Sequence, residues 1–228
     1  MHVVFFNRSF YPDTAATGQI LTDLCEDLVK VHGFQVTVIS GMPLLSVEGA
    51  GHVDQVAARE RYRGIDVVRA RGTRLSKARF IGRATNYVTY FLSACWAGLR
   101  VRRPDVVISL TDPPIIGLAG WLTSRRHRVP LIMAYQDLFP EVAVLLEDFH
   151  SDLVNSVLQR VNELLCRKAT RIVALGETMR ERLVDGKGAA REKTLVIPSG
   201  ADTQAVLPGP KRNSFSEAHG LASLGRRR

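Results

Sequence analysis

The sequence predicts an α/β domain built on a doubly wound, mostly parallel sheet. Three observations predict it. Short β-rich runs alternate with helix-period stretches along nearly the whole chain, an order that implies parallel strands joined by crossover helices. A length of 228 residues suits one good-sized domain with a real core and is short for two. Hydrophobic residues make up 46%, ordinary for a globular protein, and no internal repeat at a fixed period competes with that reading.

Each element has a local reason. HVVFF at 2–6 is a first buried strand, followed by a polar turn at 7–17. A helix then starts at Gly18, with apolar residues at 20, 21, 24, 25, 28 and 29 on one face, and Gly33 stops it. FQVTVIS at 34–40 is the second strand. Residues 41–55, with Pro43, Gly49 and Gly51, read as loop, IDVVRA at 65–70 as strand, and 82–102 as a long helix. PDVVISL at 104–110 is a buried strand, after which Pro113 and Pro114 open a helix, because proline suits the first helical turn. PLIMAY at 130–135 is a strand and 151–168 an amphipathic helix with apolar residues at 153, 154, 157, 158, 161, 164 and 165. RIVAL at 171–175, a short helix at 178–184 and KTLVI at 193–197 complete about seven strands and five or six helices. Beyond 198, Pro, Gly, Ser and Arg dominate, so the domain is expected to span 1–207, with 208–228 a linker remnant and tail of little fixed structure.

The formal net charge of +9 implies an anionic partner: a nucleotide diphosphate, a phospholipid surface or a nucleic acid. In the segment 59–83, RERYRGIDVVRARGTRLSKARFIGR, only Glu60 and Asp66 oppose many basic residues. Arg100, Arg102 and Arg103 form a second cluster and Arg125, Arg126 and Arg128 a third, each of which also reads as a plain solvated face. The three cysteines, Cys25, Cys95 and Cys166, are widely spaced in helix-like stretches and read as small core hydrophobes in a reducing compartment. No Cys or His pair has ligand spacing, so no metal is expected. There is no apolar run of about 18 residues and no basic leader, so a cytoplasmic protein is expected.

In an open parallel sheet, ligands bind beyond the carboxyl ends of the strands. Just past the strands stand Arg8 and Ser9, Gly41, Gly72, Asp112, Asp137, and Gly176 with Glu177. Thr17 and Gly18 open the first helix, where free N–H groups favour a phosphate and glycine admits a ligand to the backbone; Thr17 equally suits a helix cap. No GxGxxG and no GxxxxGK[ST] is present, which argues against a dinucleotide dehydrogenase and against P-loop phosphoryl transfer. Asp137, directly after an apolar strand, is the acid placed to accept a proton from, or orient, an acceptor hydroxyl. Glu141 either pairs with a basic residue or lines the cleft, and Asp112, in TDPP, reads as an N-cap or a cleft residue. His127, His150 and His219 have no partners nearby in sequence, and no GxSxG elbow occurs.

The opening FFNRSFYPDTAATGQILTDLCEDLVKVHGFQVTVISG, the turn QDLFPE at 136–141 and the string LVIPSGADT at 195–203, in that order, resemble the family-4 glycosyltransferases. More narrowly, they are similar to the branch that builds bacterial exopolysaccharide and O-antigen. The resemblance implies the Rossmann-like N-terminal half of a GT-B fold, in which two such domains face each other across a cleft. It implies an acceptor-side domain, with the nucleotide sugar held mainly by the second domain, and transfer with retention of anomeric configuration. On that resemblance Thr17 and Gly18 lie near the donor diphosphate and Asp137 near the reacting hydroxyl; Asp112, Glu141, Gly176 and Glu177, read from their own places in the sequence, are expected along the acceptor side of the cleft. The nucleotide sugar is a substrate, with no further cofactor. Residues 213–221 still resemble the family, whereas ASLGRRR at the end does not, and no Glu-x7-Glu lies in a suitable place. A truncated chain, inactive alone, is therefore expected.

The resemblance also gives the charge a partner. A lipid-diphosphate-linked or glycan acceptor at the inner face of the membrane would suit a patch of Arg69, Arg71, Arg74, Lys77, Arg79 and Arg83. Tyr87, Tyr90, Phe91, Leu92 and Trp96 would extend it, unless they are the core face of the long helix. Two other readings stand beside this one: an acceptor-binding subunit whose donor domain is a separate chain, and a basic nucleic-acid-binding α/β domain. The second lacks an RNA-recognition signature or interleaved aromatics, so no nucleic-acid partner is expected.

Overall fold

A computed structural model describes residues 1–43, 57–73, 75, 80–142, 152–200, 209–210 and 212–220. The chain divides into one unit at Met1–Pro198 and another at Ser199–Arg228.

The first unit holds an eight-stranded sheet: β1 (His2–Phe6), β2 (Gln35–Ser40), β3 (Ala57–Tyr62), β4 (Ile65–Ala70), β5 (Val106–Ser109), β6 (Leu131–Ala134), β7 (Arg171–Ala174) and β8 (Thr194–Val196). Its order is β3-β4-β2-β1-β5-β6-β7-β8. Every neighbouring pair is parallel except β3 with β4, which is antiparallel in the register Ala57↔Ala70 to Tyr62↔Ile65. The helices are α1 (Ala16–Lys30), α2 (Phe80–Arg100), α3 (Ile116–His127), α4 (Asp152–Lys168) and α5 (Glu177–Lys187).

The strands alternate their side chains between two cores. On one face Val3, Phe5, Val36 and Val38 pack against Leu21 and Cys25 of α1. On the other, Val4, Phe6, Ile39 and Val107 meet Tyr90, Ala94 and Ala97 of α2, Ile116 and Ala119 of α3, Leu165 of α4 and Leu183 of α5. The sheet is thus wound on both sides. Gly98 of α2 lets the second layer close: a Cβ there would stand 2.2 Å from Thr123 Oγ1 of α3 and 2.7 Å from Phe6 Cζ.

The expected elements recur with shifts of a few residues at their ends, and two differ. Strand β3 lies in a stretch read as a basic segment. Helix α3 begins at Ile116, with Ile115 rather than Asp112 at its N-cap. All three cysteines are free; Cys25 and Cys166 are buried, and partial burial pushes the Cys95 thiol up to about 11. In the second unit a five-residue helix, α6 (Ser214–Ala218), forms where little fixed structure was expected. The Asn213 side chain accepts a hydrogen bond from the Ser216 backbone N–H at 2.9 Å, and the Ser216 hydroxyl accepts one from the Asn213 N–H.

Candidate functional site

The strand order reverses direction between β1 and β5. From β1 the chain turns to α1 on one face; from β5 it turns to α3 on the other. A crevice opens at the carboxyl edge of such a sheet, where the two connections part.

Arg8 and Asp112 span it. The Arg8 N–H donates to the Asp112 carbonyl at 2.9 Å, and Arg8 Nε lies 3.1 and 3.3 Å from the two Asp112 carboxylate oxygens. The Ser9 hydroxyl adds a bond to the same carboxylate at 3.3 Å. Burial acts to lower the Arg8 pKa, but the Asp112 charge, aided by Tyr87, outweighs it and the net shift is upward. The guanidinium stands 5.4 Å from the centre of the Tyr87 ring. Beside it lies a cavity of about 290 Å³, lined by Arg8, Ser9, Gly41, Gly72, Tyr87 and Tyr90 among others. The Tyr90 hydroxyl is buried without a hydrogen-bond partner among the described residues, and burial first, then the Asp112 charge, holds its pKa well up.

Thr111 links the next two loops. Its hydroxyl accepts hydrogen bonds from the backbone N–H groups of Gln136 at 3.2 Å and Asp137 at 3.3 Å. Asp137 therefore stands at the rim, past β6, with its side chain reaching solvent. Enough protein surrounds the carboxyl to strip part of its hydration. That loss, followed by the negative charge of Asp112, raises its pKa above the ordinary aspartate value. A carboxyl so poised can hold or receive a proton near a reacting hydroxyl.

The other predicted residues fall in different places. Asp112 belongs to this cluster as the partner of Arg8. Thr17 is the second residue of α1, whose N-cap is Ala15, so it does not cap the helix. Gly18 is buried, and a Cβ there would stand 3.2 Å from Ser9 Cβ and 3.3 Å from the Ser9 carbonyl carbon. The glycine lets α1 sit on the backbone of the first loop. Glu141 pairs at 2.8 Å with Lys187, whose side chain is 1% exposed and also donates to the Phe139 carbonyl at 3.0 Å and to Gln159 Oε1. Its first-named option, pairing with a base, is the one realised. Gly176 is the extended N-cap of α5, and Glu177, at the start of that helix, is exposed and bonded to Arg180 at 2.9 Å.

Of the predicted basic patch, Arg69 is 2% exposed and so cannot serve a surface. Its guanidinium donates to Glu60 at 2.7 Å, Ser40 Oγ at 2.9 Å, the Gly41 carbonyl and the Tyr11 carbonyl, tying β3, β2 and the first loop together. Arg71 is half-buried just past β4. Arg74, Lys77 and Arg79 lie outside the described residues, and of Arg83 only its place in α2 is described. Tyr90 is core and Phe91 packs against it, whereas Leu92 and Trp96 are exposed.

The residue that sequence reasoning passed over is Arg8. It stands among the strand-end residues, but nothing local distinguishes it; the signal was an arginine two residues past β1 in a chain that places an aspartate three residues past β5.

The glycosyl transferase 4-like domain matches residues 16–200. The chain belongs to this glycosyltransferase family. No curated protein matches it by sequence. Among solved structures it is similar to Anabaena Alr3699/HepE, in complex with UDP and glucose, at 16% identity and a TM-score of 0.62, covering 97% of this chain and 51% of the other. It is similar to the sucrose-phosphate synthase of Thermosynechococcus elongatus at 15% identity and a TM-score of 0.63, covering 99% and 53%. It is also similar to a glycosyltransferase of Rickettsia africae ESF-5 at 14% identity and a TM-score of 0.55, covering 96% and 49%. The chain thus spans about half the length of the solved glycosyltransferases it matches. Its sheet is the Rossmann-like half of the GT-B architecture. Among the described residues, no helix is long and apolar enough to cross a membrane.

Proposed function

We propose that this domain forms the acceptor wall of a cleft in which a sugar passes from a nucleotide-sugar donor to a lipid-linked glycan acceptor, with retention. The domain acts in the cytoplasm at the inner membrane face, in exopolysaccharide or O-antigen assembly. The observation that carries the reading is the placing of Asp137, with Asp112 and Arg8, at the carboxyl edge of a glycosyl transferase 4-like domain. Most donor contacts belong to a facing domain in this architecture, and a nucleoside diphosphate sugar is the donor class that such a pair of Rossmann-like domains suits; UDP-sugars are the first to try. Asp137 orients the acceptor hydroxyl and takes up its proton, while the Arg8–Asp112 bridge fixes the loops on either side. No metal takes part in this scheme.

The test is transfer of label from a UDP-sugar to a lipid-extractable product by the protein that carries these residues, supplied with a donor-binding domain in trans where needed. Asp137→Asn is expected to lower the rate by about 100- to 10,000-fold with an unchanged circular dichroism spectrum. An undiminished rate would remove Asp137 from the chemistry.

A further inference from the structure

The exposed faces of α2 and α3 carry two features that the cleft does not use. The first is apolar. Along α2, Val88, Leu92, Trp96 and Leu99 are 48%, 60%, 45% and 43% exposed, and Leu122 of neighbouring α3 is 39% exposed. Positions 88, 92, 96 and 99 recur at helical spacing, so they form one stripe about 17 Å long. Other residues of the same helix, Tyr90, Ala94 and Ala97, already fill the core, so the stripe is surplus to folding.

The second feature is charge. Residues 80–104 and 113–136 contain no aspartate or glutamate. At the carboxyl ends of the two helices Arg100, Arg102, Arg103, Arg125, Arg126 and Arg128 are all exposed, and none forms an ion pair among the described residues. The two sets of arginines adjoin, because the helices touch where Gly98 meets Thr123. Aromatic and cation are also paired: the Arg100 guanidinium stands 3.8 Å from the centre of the Trp96 ring, and that of Arg125 5.6 Å from the Trp121 ring.

We infer that the outer face of α2 and α3 is the surface by which this domain lies on an anionic lipid bilayer. An amphipathic helix with exposed Leu and Trp and a flanking set of arginines binds such a surface by burying its stripe at the headgroup boundary while its cations meet the lipid charge. A nucleic acid would satisfy the arginines but leave Leu92, Leu99 and Leu122 without an apolar partner. A second copy would bring like charges face to face. The surface deepens the membrane part of the proposed function and replaces the patch around Arg69, but it rests on exposure and charge, not on sugar transfer. It has a geometric consequence. Tyr87, five residues before Leu92 on the same helix, lines the cavity beside Arg8, so that cavity lies near the amino end of the helix that rests on the membrane.

The test is flotation of the whole chain with vesicles of phosphatidylglycerol and phosphatidylethanolamine against vesicles of phosphatidylcholine alone. Binding is expected only to the anionic vesicles, with a loss of about fivefold for each of Arg100→Gln and Arg125→Gln. Leu92→Glu and Trp96→Glu, both at exposed positions, should each lose about tenfold or more. Val31→Glu, exposed at the end of α1, should bind as wild type, and circular dichroism checks the fold of each variant. No binding by the wild type, or an equal loss in Val31→Glu, would overturn the inference. So would a concentration-dependent dimer that Leu92→Glu dissolves. A protein that transfers sugar without binding vesicles would lose this surface alone; one that binds vesicles without transferring sugar would lose only the enzymatic reading.

Discussion

At the scale of single residues, the surroundings move two carboxylates in opposite directions. Asp137 titrates above its ordinary range, through lost hydration and then the charge of Asp112. The folded state therefore holds that proton more tightly than the unfolded state, and the stability it contributes is present at low pH and lost as pH rises through the raised value. Asp112→Asn is expected to move the Asp137 midpoint downward in a carboxyl carbon NMR titration; an unmoved midpoint would clear Asp112 of the effect. Glu26 is the reverse case. Burial acts to raise its pKa, but hydrogen bonds from Lys30 at 2.5 Å and Arg63 at 2.9 Å outweigh it and the net shift is downward. Its contribution is present above the ordinary glutamate range and lost as pH falls through the depressed value. Both cations are more than half exposed, so screening keeps the gain small. The difference in urea midpoint between wild type and Glu26→Gln should accordingly shrink on acidification. The rim position of Asp137 was legible because a carboxylate just past an apolar run declares itself locally. Arg8 was not, because its partner lies 104 residues away and only the folded sheet brings β1 beside β5.

At the scale of elements, glycines separate packing from propensity. Gly98→Ala would force a methyl into Thr123 and Phe6 where α2 meets α3, and should cost about 1–3 kcal/mol in chemical denaturation. Gly186, within α5, meets nothing within 4 Å, so Gly186→Ala should instead stabilise by roughly 0.5–1 kcal/mol through helix propensity. A stabilising Gly98→Ala would show the close contact at Gly98 to be wrong, and a destabilising Gly186→Ala would overturn the propensity argument. The elements that sequence periodicity captured are those with a buried apolar face. Strand β3, AARERY, escaped because it pairs on one side only and carries charge along its length, the way an edge strand is kept from pairing with other chains. Thr17 and Asp112 both read as caps from residue type alone, yet the helices begin after Ala15 and Ile115, since tertiary contacts set the first turn.

At the scale of the whole molecule, the two cores share the same strands, so neither layer can be removed without baring the other side of the sheet. Unfolding of the first unit is expected to be a single transition. The fluorescence of Trp96 and Trp121, in α2 and α3, should change at the same urea concentration as far-UV circular dichroism; an earlier fluorescence change would mean that this layer melts by itself. The parting of the chain after β1 and β5 carries a further meaning. The gap exists because the connections after β1 and β5 leave the sheet on opposite faces, and the Arg8–Asp112 tie merely bridges it. Swapping side chains along its banks alters what is held there but cannot erase the hollow, so new specificities can arise in the loops that border it while the scaffold beneath them stays untouched.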